Sequence, residues 1–155
     1  MSSRQRSTLQ IEVLEPRQAT TGITGVSLNF GNLAIKAPLT SGNVAIISID
    51  PANKYVQVSL NGQSEEFSPS QVANITYTGG SGGGDTFTNN TNLVSLGYGY
   101  GGNNKFTGGS SYNFVYFFGN NNTFTGPAGS INDVYEGGGH GDVILGTGTT
   151  HVYAN

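Results

Sequence analysis

Residues 104–124 read NKFTGGSSYNFVYFFGNNNTF, and this stretch decides the fold. Asn104, Asn113 and Asn122 are spaced nine residues apart, and a large apolar residue follows each of them two positions later. A fixed short period with glycine-rich turns is typical of solenoids, in which each repeat contributes one strand and buries its apolar residue against its neighbours. The period therefore predicts an all-β solenoid.

The same period continues on both sides of this stretch. Asp133, Asp142 and His151 are also nine apart, in a register displaced by two residues near Pro127, and Asp85 lies 19 residues before Asn104. We expect the large residues two positions after these side chains to fill the interior. They are Phe87, Phe106, Val115, Phe124, Tyr135, Ile144 and Tyr153.

The glycine-rich repeats resemble those of RTX β-rolls, and that resemblance implies two repeats per turn, which would stack residues about 18 positions apart into columns. One predicted column contains Asp85, Asn104, Asn122 and Asp142, and the other contains Asn113, Asp133 and His151. Because asparagine amides both donate and accept hydrogen bonds, stacked asparagines can bond to one another along a solenoid. The columns therefore predict a hydrogen-bonded ladder.

The chain divides into three predicted regions: a flexible basic leader at 1–19, a strand-rich cap at 20–78 and the solenoid at 79–155. Within the cap, residues 26–30, 44–49 and 56–60 alternate or carry β-branched runs, as strands do. Asn61-Gly62 is a strong hairpin signal because both residues tolerate positive φ. We expect a small antiparallel sheet that covers the first turn of a β-roll-like solenoid of about four turns.

Composition excludes several classes of function. The 155 residues include 25 glycines and no cysteine, so there is no disulfide framework and no cysteine-based metal site or nucleophile. The net charge is −3, and scattered lysines offer no basic stripe for nucleic acid. No apolar run reaches the roughly 18 residues that a membrane-spanning helix requires.

The N-terminus carries a short family resemblance. Ile11-Glu12-Val13-Leu14-Glu15-Pro16-Arg17 follows a basic start and resembles the L-E-P-R leader of many planctomycete surface or secreted proteins. The segment lacks the continuous apolar region of a conventional secretory signal. The resemblance covers about 17 residues and implies a bacterial extracellular or cell-surface location.

The repeats resemble the glycine-rich nonapeptides of RTX (haemolysin-type) β-rolls, most closely at residues 137–145 and 80–88. In that family, sixth-position aspartates and backbone carbonyls hold Ca²⁺ between turns. The resemblance makes Asp85, Asp133 and Asp142 the candidate calcium ligands and implies, as an alternative function, a module that folds on secretion. Ca²⁺ needs six to eight oxygen ligands, and neither predicted column has adjacent aspartates, so we expect the asparagine ladder to replace the metal.

The remaining candidate surfaces favour a structural role. The run Phe114–Phe118 is apolar on both faces, and it is either covered by the cap, which we expect, or an exposed contact surface. Threonines beside Phe87 and Phe124 resemble the arrays of ice-binding solenoids. His140 and Asp142 could form an acid–base pair, but a loop histidine beside a stacked aspartate explains them better. We therefore predict a non-enzymatic structural or adhesive protein without a resident cofactor, associating through its solenoid ends or the 114–118 strand.

Overall fold

A computed structural model of the protein describes residues 22–154, so the predicted leader at 1–19 lies outside the described part. The described chain is all-β apart from one 3₁₀ turn, Pro69–Gln71. The strands are β1 (Val26–Asn29), β2 (Asn32–Lys36), β3 (Val44–Ile49), β4 (Val56–Leu60), β5 (Gln63–Phe67), β6 (Asn74–Thr78), β7 (Thr86–Asn89), β8 (Val94–Gly99), β9 (Lys105–Thr107), β10 (Tyr112–Phe117), β11 (Thr123–Gly126), β12 (Ile131–Glu136), β13 (Val143–Gly146) and β14 (Thr149–Ala154). Between residues 22 and 154, no helix is long and apolar enough to span a membrane.

The strands form two seven-stranded sheets, which are the two sides of a β-solenoid. The first sheet has the order β1-β2-β6-β8-β10-β12-β14, and the second has the order β13-β11-β9-β7-β3-β4-β5. Successive strands along the chain alternate between the sheets from β6 onward, and each pairs in parallel with the strand one turn earlier. The predicted solenoid of two strands per turn is confirmed.

Parallel stacking begins before Gly79, the first residue of the predicted solenoid. Strand β2 pairs in parallel with β6, and β3 pairs in parallel with β7. The antiparallel parts are strand β1, which pairs with β2, and the hairpin β4–β5, which extends the second sheet beyond β3. Residues 22–78 therefore supply both antiparallel strands and the first turn of the solenoid.

A column of apolar side chains from the second sheet lies in the interior. Phe87, Phe106 and Phe124 occupy one column, because they are direct partners in the parallel pairs of β7, β9 and β11, and all three are buried. Ile144 continues the column on β13 and is partly buried against the core. The predicted interior row of Phe87, Phe106, Phe124 and Ile144 is correct.

From β12 onward, the strand register of the first sheet differs from the predicted register by one residue. Val115 pairs with Val134 and both are buried, whereas Tyr135 and Tyr153 point outward. The expectation that these two tyrosines fill the interior was wrong. Because side chains alternate between the faces of a strand, a one-residue register difference moves every side chain of that strand to the opposite face.

Glycines in the turns permit close stacking of the backbone. A side chain on Gly119 would collide with the carbonyl oxygen of Gly101, and one on Gly139 would collide with that of Gly119. In the interior of the solenoid, a Cβ on Gly97 would lie 2.9 Å from the Phe106 ring, so glycine in β8 leaves room for that ring. Much of the glycine content thus follows from the distance between turns.

Tyr77 lies at the centre of the core and carries an unpaired hydroxyl. Its ring stacks on Phe87, with centroids 4.9 Å apart, and meets the edge of Phe106 at 5.4 Å. The Tyr77 hydroxyl is buried without a hydrogen-bond partner among the described residues. Burial, followed by the nearby charge of Asp85, raises the pKa of Tyr77 far above its usual range.

Replacing Tyr77 with phenylalanine should leave stability at neutral pH unchanged or raise it by about 1–2 kcal/mol, since an unpaired buried hydroxyl is costly. Because the pKa of Tyr77 is raised in the folded state, its contribution to stability is complete below pH ~10 and is lost as the pH rises further. In Tyr77→Phe, the unfolding free energy should therefore fall less steeply at alkaline pH, by up to about 1.4 kcal/mol per pH unit. Denaturant unfolding between neutral and alkaline pH measures both effects. Tyr55→Phe, at an exposed position, should keep the wild-type slope; an equal change in both variants would contradict the assignment to Tyr77.

Candidate functional site

A ladder of polar side chains, all buried except the half-buried last member Asp142, runs along the inside of the solenoid. Its members directly precede the five parallel strands of the second sheet, and they are Asn43, Asp85, Asn104, Asn122 and Asp142. Each backbone N–H donates to the side-chain oxygen one turn later, with N···O distances of 2.8, 3.0, 3.0 and 2.7 Å. The predicted column of Asp85, Asn104, Asn122 and Asp142 is confirmed, and it begins one turn earlier, at Asn43.

The asparagines of the ladder also close their own turns. The Asn104 amide donates to Asn122 Oδ1 at 2.9 Å and to the Tyr100 carbonyl four residues earlier at 3.1 Å. Asn43 repeats the pattern, donating to Asp85 Oδ1 and to the Leu39 carbonyl. One amide therefore satisfies both a local turn and the next turn of the solenoid, which a carboxylate without protons cannot do.

A second ladder lies under the first sheet, in a register that differs from the predicted one. Ser95 Oγ donates to Asn113 Oδ1 at 2.7 Å, Asn113 Nδ2 to Asn132 Oδ1 at 2.8 Å, and Asn132 Nδ2 to Thr150 Oγ1 at 3.2 Å. Asn113 therefore pairs with Asn132, and Asp133 pairs with Phe114. The predicted column of Asn113, Asp133 and His151 was wrong at its first step, because the turn near Pro127 displaces the repeat by one residue and not by two.

The three candidate calcium ligands do not come together. Asp85 Oδ1 accepts from the Asn43 backbone and amide nitrogens at 2.8 Å each, and its Oδ2 accepts from Gly80 N at 2.6 Å. Asp142 accepts from Asn122, and Asp133 lies on the outer face. Within residues 22–154 no group of three histidine, aspartate or glutamate side chains is arranged to hold a metal. Since N–H donors point at the ladder carboxylates where calcium would require oxygen ligands, the ladder does not fit Ca²⁺.

The outer surface of the first sheet is an aromatic face, which we define as the outward side chains of β8, β10, β12 and β14. In columns across the strands these are Val94, Tyr112, Ile131 and Thr149, then Leu96, Phe114, Asp133 and His151, then Tyr98, Tyr116, Tyr135 and Tyr153. No described element packs over this face. Phe114 is half-buried, and Phe118, beyond the end of β10, is 46% exposed, so the expected coverage of 114–118 by the cap was wrong.

Four tyrosines stack along one edge of the aromatic face, and we call them the tyrosine column. Ring centroids are 5.3 Å apart for Tyr98–Tyr116, 4.5 Å for Tyr116–Tyr135 and 4.6 Å for Tyr135–Tyr153, with interplanar angles of 20°, 6° and 12°. These separations match the spacing of neighbouring strands, about 4.8 Å. The rings therefore cover one another's faces and present their edges and hydroxyls outward. Burial, as the largest cause, raises the pKa of Tyr135.

A hydrogen-bonded chain crosses the same face at its last turns. Tyr112 OH donates to Asp133 Oδ2 at 2.8 Å, and Asp133 Oδ1 lies 2.9 Å from His151 Nδ1. The hydrogen bond to Asp133 is the main reason that the pKa of Tyr112 is raised. The sequence placed Asp133 and His151 in one predicted column with Asn113 and did not point to Tyr112, because the meeting of the three side chains depends on the register between β10, β12 and β14.

His140 and Asp142, the other acid–base candidates, serve the turns. The backbone N–H of His140 donates to Asn120 Oδ1, and Asp142 accepts from Asn122. Two shallow grooves are lined by residues that include Gly25 and Thr78, and by residues that include Asn89 and Pro127. Neither groove contains His140, Asp142 or the Asp133–His151 pair. His140 and Asp142 thus lie between β12 and β13, whereas Asp133 and His151 are partners on β12 and β14.

Comparison with protein-family models, with curated proteins and with solved structures found no match for this chain. Its function is therefore argued from the two ladders and the aromatic face alone.

Substituting Asn104 with aspartate should break the interior ladder. The new oxygen would face Asn122 Oδ1 and the Tyr100 carbonyl without a proton to donate, so we expect a loss of about 3–5 kcal/mol in unfolding free energy at neutral pH. The loss should shrink in acid, where the neutral carboxylic acid regains one donor. Denaturant unfolding at several pH values measures it, with Asn90→Asp at an exposed position as the control. Equal effects at both positions would show that the ladder is not the cause.

Calcium should not stabilise the protein, because N–H donors already bond to the ladder carboxylates. We expect the same melting temperature and the same circular dichroism in millimolar Ca²⁺ and in chelator. A saturable rise in melting temperature with Ca²⁺, abolished by Asp142→Asn, would support the RTX-type alternative.

Proposed function

We propose that this protein is a non-enzymatic structural or adhesive component of a bacterial surface or extracellular layer, and that its aromatic face makes the contacts. The observation that carries the proposal is this face, an uncovered array of aromatic and aliphatic side chains on a rigid parallel sheet. Contiguous exposed apolar surface of this kind marks contact sites in soluble proteins.

The size of the face favours weak and repeated contacts. Four strands at about 4.8 Å spacing, with five residues of about 3.3 Å each, give roughly 320 Å². A stable pairwise complex buries about 800 Å² on each partner. One face is therefore too small for a permanent dimer by itself, but many copies in a layer would add such contacts through multivalency. End-to-end association of solenoids, the other route expected from the sequence, stays a prediction.

The orientation of the rings favours a broad partner surface. Sugar rings and nucleic-acid bases bind aromatic side chains through exposed ring faces. In the tyrosine column the faces of Tyr116 and Tyr135 are already covered by neighbouring rings. A second sheet surface, such as the same face of another copy, would instead pack against the ring edges and against Phe114 and Ile131.

The interior supports a mechanical role. The two ladders form hydrogen bonds between each turn and the next, and the phenylalanine column packs along the same solenoid axis. These contacts between turns keep the four strands that carry the aromatic face in register. The His151 side chain is 55% exposed on the outer surface, whereas catalytic sites enclose their reacting groups to exclude water.

Replacing Phe114 and Ile131 together with threonine should weaken self-association about tenfold or more, since each buried methylene contributes about 0.8 kcal/mol and tenfold corresponds to about 1.4 kcal/mol. Threonine keeps the preference for strands. Sedimentation velocity over a concentration series, together with adsorption to apolar surfaces, measures the effect.

The matched control is Val143→Thr with Leu145→Thr, which removes exposed apolar side chains from the second sheet. This control should associate like the wild type. A wild-type chain that stays monomeric at high concentration and does not adsorb, or equal weakening in both double variants, would refute the role of the aromatic face.

A further inference from the structure

We propose that the tyrosine column is a site of oxidative cross-linking, at which rings on successive turns are joined as dityrosine by a peroxidase-type oxidant. The inference does not rest on the proposed function, because it concerns neighbouring rings within one chain. The dityrosine cross-link would form on the free chain, before any partner covers the aromatic face.

The geometry brings phenol rings together in pairs along the solenoid. Tyr116 and Tyr135 are 4.5 Å apart between centroids and Tyr135 and Tyr153 are 4.6 Å apart, in nearly parallel planes. Neighbouring phenols at this separation have ring carbons in van der Waals contact. The rings lie on the outer face, where side chains rotate more freely than in a core, and Tyr153 is 47% exposed. An oxidant can therefore reach the column.

The chemistry is balanced with hydrogen peroxide as the terminal oxidant and a haem peroxidase as the catalyst. Each of two tyrosines loses one electron and one proton, leaving a phenoxyl radical. The two radicals join by a carbon–carbon bond between ring carbons ortho to the hydroxyls, and the two displaced ring hydrogens return to the oxygens as the rings regain aromaticity. One peroxide takes up the two electrons and two protons and becomes two water molecules.

Pairing within the chain is favoured over pairing between chains. The parallel strands hold each ring beside the next, so coupling is effectively unimolecular. Tyr116 and Tyr135 are 19 positions apart in sequence but direct partners in the sheet. A bond between them would close a loop of one full turn, so it would restrict the unfolded chain as a disulfide does. In the product, dityrosine cross-links on the outer face would join successive turns along the solenoid axis, as the hydrogen bonds of the ladder do in the interior.

The test is oxidation of dilute, monomeric protein with a haem peroxidase and hydrogen peroxide. We expect dityrosine fluorescence in the monomer band of a denaturing gel and cross-linked peptides that join β8 to β10, β10 to β12 and β12 to β14. The oxidised monomer should also melt at a higher temperature than the untreated one.

Three variants locate the site. Tyr135→Phe keeps an aromatic ring in the stack but removes two of the three tyrosine pairs, so the monomer signal should fall to about one third. The double variant Tyr116→Phe with Tyr153→Phe leaves Tyr98 and Tyr135 without a stacked tyrosine partner, so the dityrosine fluorescence of the monomer should be abolished. Tyr100→Phe is the matched control, because Tyr100 is 39% exposed and stacks on Phe118, not on a tyrosine. Dityrosine found only between chains, or an unchanged signal in the double variant, would overturn the proposal.

Discussion

The hydrogen bond from each turn to the side chain one turn later is the interaction on which the whole structure depends. From Asn43 to Asn122, every ladder residue donates its backbone N–H to the side chain of the next. These groups are buried, and a buried donor without a partner costs about 1–3 kcal/mol. A shift of one residue between turns would leave several such groups unpaired at once. The ladder therefore determines register as well as cohesion.

Register in turn decides what the outside of the protein presents. Side chains alternate between the two faces of a strand, so alignment of Asn113 with Asn132 places Val115 and Val134 inside and Tyr116 and Tyr135 outside. The outer tyrosines stack because the strands repeat at about the thickness at which aromatic rings pack with an offset. The aromatic face is thus a consequence of the same spacing that the interior amides maintain.

The predominance of asparagine over aspartate in the ladder has a physical consequence. A column of carboxylates repels itself and requires cations between the turns. Asparagine carries both a donor and an acceptor, so Asn104 and Asn122 bond directly and the turn carbonyls are satisfied by the same amides. The two aspartates of the ladder are separated by two asparagines, and each accepts N–H donors. Cohesion between the turns then comes from the protein itself.

The sequence by itself predicted the solenoid, because this depends on a local period of about nine residues. The resemblance to RTX β-rolls implied two strands per turn, and hence the phenylalanine column and the ladder through Asp85, Asn104, Asn122 and Asp142. The sequence also predicted the hairpin at Asn61-Gly62, where both residues have positive φ. Only the tertiary structure decided the register of β12, since the sequence shows a displacement of two residues between Asn122 and Asp142 but not how it is divided between the turns before and after β12. That register moved Tyr135 and Tyr153 outside, brought Tyr112, Asp133 and His151 together and created the aromatic face. Contacts between turns depend on how distant strands align, which no local pattern specifies.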